Sequence, residues 1–222
     1  MKLKESCAIC ISIGNLSMEE CLKRLRFLDF AEIRLDTMEM DISSVKRIFS
    51  MPLKLIATCR PGRYSNSLRE KFLLTAIDSG AAYVDIETSS SEKLKTKIIE
   101  RAIHNKTKVI FSYHNLDKTP KLSLLKNIVL KSFLSGADLV KIACMANCYA
   151  DNIRLLSLLD INKKYSGRLI IVGMGEIGRV TRVASVFLGS PFNYSFFEGD
   201  DSMAPGQLDM RKFKKIIKLI KK

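Results

Sequence analysis

The feature that most constrains this chain is an alternation repeated eight times. Short apolar runs rich in β-branched residues occupy 7–13, 31–35, 54–59, 82–86, 108–113, 138–143, 168–173 and 192–197. Each is followed by a longer segment whose apolar residues recur at helical spacing. These helical segments lie near 17–29, 41–50, 66–80, 91–105, 121–135, 149–164, 177–188 and 209–221. Local chemistry marks several boundaries. Ser17 ahead of Met-Glu-Glu offers a hydroxyl cap and first-turn acids. Pro120 suits a first helical turn, and Gly80 and Gly136 stand where helices should stop. Strands separated by helices pair in parallel through crossovers. Eight such units of about 27 residues predict an α/β fold, a closed (β/α)8 TIM barrel at the small end of its size range. No Gly/Ser/Pro-rich linker interrupts the pattern, so residues 1–222 are expected to form a single barrel domain.

The charge balance is 37 Lys and Arg against 23 Asp and Glu, a net +14. A basic chain raises a nucleic-acid reading. The charge is dispersed, however, with a dense cluster only in the last dozen residues, and such a field also suits a small anionic substrate. The aromatic residues are few and scattered, which disfavours stacking on bases. Six cysteines include a Cys-x-x-Cys at Cys7 and Cys10, but both lie in an apolar run with no second pair at metal-site spacing. Reduced, half-buried thiols are expected there. The charged start, Met-Lys-Leu-Lys-Glu, carries no leader pattern, and no apolar stretch is long enough to cross a bilayer. A soluble, cytoplasmic protein is expected.

A barrel of this kind builds its active site at the C-terminal ends of its strands. Strand two reads Phe-Ala-Glu-Ile-Arg-Leu-Asp, so Glu32, Arg34 and Asp36 alternate onto one face. The other face must be apolar toward the helices, which turns the charged trio inward. Arg60 closes strand three before Pro61 and has the fork that grips a carboxylate. Asp85 and Glu87 alternate at the end of strand four, where Glu87 could orient a cation such as Lys141. His114 falls at the end of strand five, and imidazole suits proton transfer near neutral pH. His104, late in a helix, reads as a surface residue.

Lys141 lies inside the apolar strand six, where desolvation of the ammonium favours the neutral amine that carbonyl addition needs. A lysine snorkelling to the barrel mouth is the bland alternative. Gly173, Gly175 and Gly178 spell a G-x-G-x-x-G after strand seven. A dinucleotide fold opens with that motif, whereas here it sits in the seventh unit, so a tight turn at the barrel mouth is the better account. Arg179 and Arg182 follow, with Arg182 placed to reach a carboxylate. Gln207, after strand eight, is a candidate for hydroxyl or carboxylate recognition. The C-terminal helix puts Phe213, Ile216, Ile217 and Ile220 on one face and lysines elsewhere, as a closing barrel helix would.

Taken in order, these segments resemble the type I 3-dehydroquinate dehydratases over nearly the whole chain. They are Glu-Ile-Arg-Leu-Asp at 32–36, Ala-Thr-Cys-Arg at 57–60, Tyr-Val-Asp-Ile-Glu at 83–87, and Ser-Tyr-His-Asn-Leu at 112–116 with Thr119-Pro120. They continue with Gly-Ala-Asp-Leu-Val-Lys-Ile-Ala at 136–143, Met174-Gly175 with Gly178 and Arg182, Gly189-Ser190, and Ala-Pro-Gly-Gln at 204–207. The resemblance implies elimination of water from 3-dehydroquinate to give 3-dehydroshikimate. It implies a Schiff base on Lys141, proton transfer by His114, and a substrate held by Glu32, Arg34, Arg60, Arg182 and Gln207. It further implies no metal or organic cofactor, and a homodimer.

Three departures stand out. Pro-Gly-Arg-Tyr-Ser-Asn-Ser at 61–67 replaces an acidic, glycine-containing stretch, Asn115 replaces an Asp, and Met203 replaces a Ser or Thr, with Ser202 one residue early. Two rival readings are an aldolase-like Schiff-base lyase, which would seize phosphate with backbone amides near strands seven and eight, and a basic nucleic-acid module with steep salt dependence.

Overall fold

The structure, a computed structural model, describes residues 8–161 and 163–221. Cys7 and the charged start at 1–5 lie outside the described residues. Within them, eight strands and eight α-helices alternate. The strands are β1 (Ala8–Ile13), β2 (Phe30–Arg34), β3 (Lys54–Thr58), β4 (Tyr83–Glu87), β5 (Lys108–Asn115), β6 (Leu139–Met145), β7 (Leu169–Met174) and β8 (Phe192–Phe196). The helices are α1 (Met18–Leu25), α2 (Ile42–Phe49), α3 (Asn66–Asp78), α4 (Glu92–Asn105), α5 (Leu122–Leu134), α6 (Tyr149–Leu156), α7 (Gly175–Phe187) and α8 (Met210–Ile220). The parallel strands follow the order β7-β6-β5-β4-β3-β2-β1-β8, a nearly closed (β/α)8 barrel.

Helix boundaries follow their capping chemistry. Ser17 and Glu20 form a capping box at α1. Gly80 and Gly136 follow α3 and α5 at φ +105° and +97°, a region costly for any residue with a Cβ. Pro120 lies before the N-cap Lys121 rather than inside the first turn. The helix expected over 149–164 ends at Leu156 and tightens into a 3-10 turn at Ser157–Asp160. There the Ser157 hydroxyl donates to the Arg154 carbonyl at 2.9 Å and competes with the helical pattern.

The chain divides into two compact units. One comprises Ile11–Phe111 with Gly136–Asp138. Here the register pairs Ser12 with Glu32, Glu32 with Ile56, Arg34 with Thr58, and Thr58 with Asp85. Residues in register on parallel strands share a face, so the polar set stands side by side. The alternate residues Ile33, Leu55, Ala57 and Val84 are all buried, as are Val45, Ile48 and Phe49 of α2 and Phe72, Leu73, Ala76 and Ile77 of α3.

The second unit comprises Ser112–Ser135, the chain from Leu139 onward, and the start of β1 up to Cys10. Here β6 and β7 pair from Val140↔Leu169 to Met145↔Met174. Helix α7 lies in near-backbone contact with β7. A Cβ on Gly178 would fall 2.4 Å from the carbonyl carbon of Gly173, and one on Gly173 would fall 2.7 Å from the Thr181 hydroxyl. That hydroxyl accepts from the Gly173 amide and donates to the Gly178 carbonyl, both at 2.7 Å. The G-x-G-x-x-G spacing thus serves helix-on-strand packing. Helix α8 buries Phe213 and Ile217 against Val186 and Leu208. Ile220, expected on that face, is 55% exposed in the last turn of the helix.

Gly178→Ala is expected to lower stability by about 1–3 kcal/mol, since the atom its methyl meets is backbone and cannot turn aside. Chemical denaturation of the variant against the parent measures it, and an unchanged midpoint would contradict the packing account.

Candidate active site

In the Ile11–Phe111 unit, the strand ends carry a layer of paired polar side chains. Glu32 is buried, and its two oxygens accept from the Ser12 and Thr58 hydroxyls, each at 2.9 Å. Hydroxyls from the flanking strands therefore fix this carboxylate. Arg34 holds Asp36 through two parallel bonds of 3.1 and 2.7 Å. Burial works against that guanidinium's charge, but the hydrogen bond to Asp36 and the charges of Glu32 and Asp36 raise its pKa above the ordinary arginine value. Arg60 bridges Asp85 at 2.9 Å and Glu87 at 2.8 Å. Glu87, expected beside a cation at its strand end, has Arg60 as an ion-pair partner.

In the second unit, His114 is the next-to-last residue of β5 and is half-buried, while Lys141 lies in β6, the neighbouring strand, and is 7% exposed. The Lys141 ammonium nitrogen sits 4.0 Å from the centroid of the Tyr194 ring in β8. Arg182 lies beyond the first turn of α7 and is 1% exposed. One guanidinium nitrogen donates to the Pro205 carbonyl at 3.1 Å, while its Nε, fully enclosed, has no hydrogen-bond partner. Burial, with the nearby charge of Arg179, pushes its pKa down to about 10, which still leaves it cationic at neutral pH. Gln207 is buried, and its Oε1 accepts from the Met203 amide at 2.9 Å, so it shapes the loop before it. Ser202 is exposed.

The loop at 203–207 is itself moored to α7. The Pro205 carbonyl accepts from the Gly175 amide at 3.2 Å, and a Cβ on Gly206 would lie 2.1 Å from the Gly175 carbonyl oxygen. Loops after β5 and β6 are latched to each other. The Thr119 hydroxyl donates to the Met145 carbonyl at 2.8 Å, and the Asn147 carboxamide donates to the Asp117 carbonyl at 2.8 Å. Arg154 joins Asp151 at 2.5 Å and the Thr119 carbonyl at 3.2 Å. Burial tends to raise the Asp151 pKa, but the Asn147 amide, Arg154 and the Cys148 amide outweigh it and hold it below the ordinary value.

Sequence reasoning missed Ser12, Thr58, Asp151, Arg154 and Tyr194. The register of β1–β3 could have found the first two; nothing local marks the others. The thiols of Cys21, Cys59 and Cys144 are pushed up to about 12 by burial, which removes them as nucleophiles at neutral pH. Among the described residues no group of three metal-ligating side chains is present.

A model of the type I 3-dehydroquinase family matches residues 9–222. The 3-dehydroquinate dehydratase of Methanococcus vannielii is 35% identical, over 96% of this chain and 99% of that protein. Its counterpart from Methanocaldococcus jannaschii is 34% identical, over 96% and 98%. Among solved structures, 3-dehydroquinate dehydratase from Aquifex aeolicus superposes with a TM-score of 0.78 at 27% identity, covering 95% of this chain and 97% of that one. The type I enzyme from Clostridium difficile gives 0.84 at 23% identity, covering 96% and 91%, a likeness of fold.

The Arg60 cluster makes its own prediction. Asp85 is fully enclosed and Glu87 is not. Asp85→Ala should therefore cost about 3 kcal/mol by stranding part of a buried charge, and Glu87→Ala about 1 kcal/mol or less. Denaturant titrations of both variants decide it, and equal losses would contradict the ranking.

Proposed function

The chain belongs to the type I 3-dehydroquinase family, and on that footing we propose that it is a hydro-lyase that removes water from 3-dehydroquinate to give 3-dehydroshikimate. That reaction places it in the shikimate pathway of aromatic amino acid biosynthesis. We propose residues 1–222 as one catalytic barrel domain.

Lys141 is the nucleophile. The observation that carries this reading is a lysine only 7% exposed inside β6, with His114 on the adjacent strand β5. Attack of the amine on the substrate carbonyl, with uptake of one proton, expels the carbonyl oxygen as water and leaves a protonated imine. The imine withdraws electrons from the neighbouring carbon. His114 takes the proton from that carbon, and the C–H electron pair runs to nitrogen as an enamine. The enamine returns its electrons, and the β-hydroxyl leaves as water with the proton His114 carries. Water then hydrolyses the imine, freeing the product and the amine. The net change is one water lost, and each step is carried by side chains of the chain.

The anionic end of the substrate needs a cation that is buried and not already saturated. Arg182 answers that need, because its enclosed Nε has no partner of its own. Glu32, Arg34, Arg60 and Gln207 belong to the same proposed substrate-binding set. A homodimer is part of the same reading. It is supported by an exposed apolar strip on α6 and α7, Tyr149, Ile153 and Val180. The buried free thiols Cys10, Cys21, Cys59 and Cys144 are at home in a reducing cytoplasm. No helix among the described residues is long and apolar enough to cross a membrane.

Borohydride added during turnover of 3-dehydroquinate should leave a stable adduct on Lys141, located by peptide mass and absent from Lys141→Ala. His114→Ala should lose turnover by about 10²-fold or more while still trapping imine. Full turnover in either variant removes that residue from its role. Ile153→Lys should convert the dimer to monomer in sedimentation, and a parent that sediments as a monomer ends the dimer reading.

A further inference from the structure

The second unit sets one aromatic ring against the Lys141 nitrogen and ties down the strand that carries it. Tyr194 is almost wholly buried in β8, and the face of its ring lies 4.0 Å from the Lys141 nitrogen. The ring packs against an aromatic neighbour, and the backbone that carries it is tied in place. Phe192 meets it edge-on, with centroids 5.6 Å apart and planes at 74°. On the other face of β8, the carboxamide of Asn193 is fully enclosed and engaged at both ends. Its oxygen accepts from the Tyr194 amide at 2.8 Å. Its nitrogen donates to the Ile171 carbonyl of β7 at 3.0 Å and to the Ser185 hydroxyl of α7 at 2.9 Å. Strands β7 and β8 are the two ends of the hydrogen-bonded order, so this side chain bridges the seam where no backbone ladder runs. One residue further on, the Ser195 hydroxyl donates to the Leu208 carbonyl at 2.6 Å.

An aromatic face carries negative charge density and attracts a cation, most strongly where water is excluded. Resting on the Schiff-base reading above, we propose that Tyr194 is an electrostatic partner of the reacting nitrogen and stabilises the protonated imine on Lys141 through its ring face. The chemistry selects that species. When the carbinolamine loses its oxygen as water, the nitrogen gains a second bond to carbon and bears a full positive charge. When the adjacent C–H pair flows into the enamine, that charge is discharged. A fixed ring beneath the nitrogen favours the cationic imine over its neutral, unprotonated form, and only the cationic form is a strong electron sink. A neighbouring carboxylate would favour the cation too, but it would also be able to remove its proton. A ring has no base to offer.

The test is a series at position 194 that keeps shape and removes electron density from the ring. Tyr194→Phe retains the face and should trap iminium at Lys141, under borohydride with 3-dehydroquinate, within about threefold of the parent. Replacing that phenylalanine with its 4-fluoro and then its 3,4,5-trifluoro analogue should lower the trapped fraction stepwise, to about a tenth or less. Thermal midpoints should stay level across the series, because the rings fill the same space. A flat series overturns the proposal. So does a collapse at Tyr194→Phe with no further change, which would assign the effect to the hydroxyl. No adduct in the parent overturns the Schiff-base reading and this inference with it. An adduct in the parent with a flat series overturns the inference alone.

Discussion

Charged side chains drawn out of water must find partners, and the two units meet that requirement differently. In the unit built on β2 to β4, each named charge has a side-chain partner within the layer, although one enclosed oxygen of Asp85 accepts no hydrogen bond. Glu32 accepts from two hydroxyls, Arg34 takes Asp36, and Arg60 takes both Asp85 and Glu87. Such pairs contribute little net stability, since desolvation offsets their attraction, but they hold geometry. The second unit sets its cations differently. The Lys141 ammonium lies over an aromatic face, and the Arg182 guanidinium is enclosed with an Nε that bonds nothing. An enclosed donor left unbonded costs stability, and an anionic group that reached the guanidinium would return part of that cost.

The second unit reaches this arrangement through close backbone approach. Because Gly173 and Gly178 lack side chains, α7 settles onto β7, and that sets how far Arg182 reaches toward the 203–207 loop. Gly175 and Gly206 repeat the device between the start of α7 and that loop. The same spacing of glycines in a dinucleotide fold admits a pyrophosphate to the helix terminus. Here the space is filled by protein: the Pro205 carbonyl accepts the Gly175 amide. A motif of small residues reports that two pieces of backbone come close, not what lies between them.

Most of the fold was legible because its signals are local and periodic. All eight strands and eight helices fall where alternation and capping put them, usually within two residues. The larger misses, at α1 and α6, came where 3-10 geometry ended a helix that apolar period alone would have continued. The strand-end charges were legible for the same reason, since a period of two places Glu32 and Arg34 on one face. What escaped were partnerships set by register and by the closing of the sheet. Nothing in Phe-Asn-Tyr-Ser-Phe at 192–196 says that its tyrosine meets the lysine of β6, or that its asparagine spans to β7. Those contacts join residues about 50 and about 20 positions apart through strand order, which local propensity does not encode.

The departures from the family pattern can be judged on the same physical terms. The acidic segment usually found after the strand-three arginine is replaced here by one carrying Tyr64. Its hydroxyl donates to the Met38 carbonyl at 2.6 Å and accepts from the Met40 amide at 2.9 Å, while its ring meets Phe72 edge-on. The segment is therefore anchored through Tyr64, and it brings no negative charge. Arg60 draws its carboxylates from β4, and Arg69 donates to the Cys59 carbonyl beside it at 3.1 and 3.0 Å, so the guanidinium is held by the strands rather than by this segment.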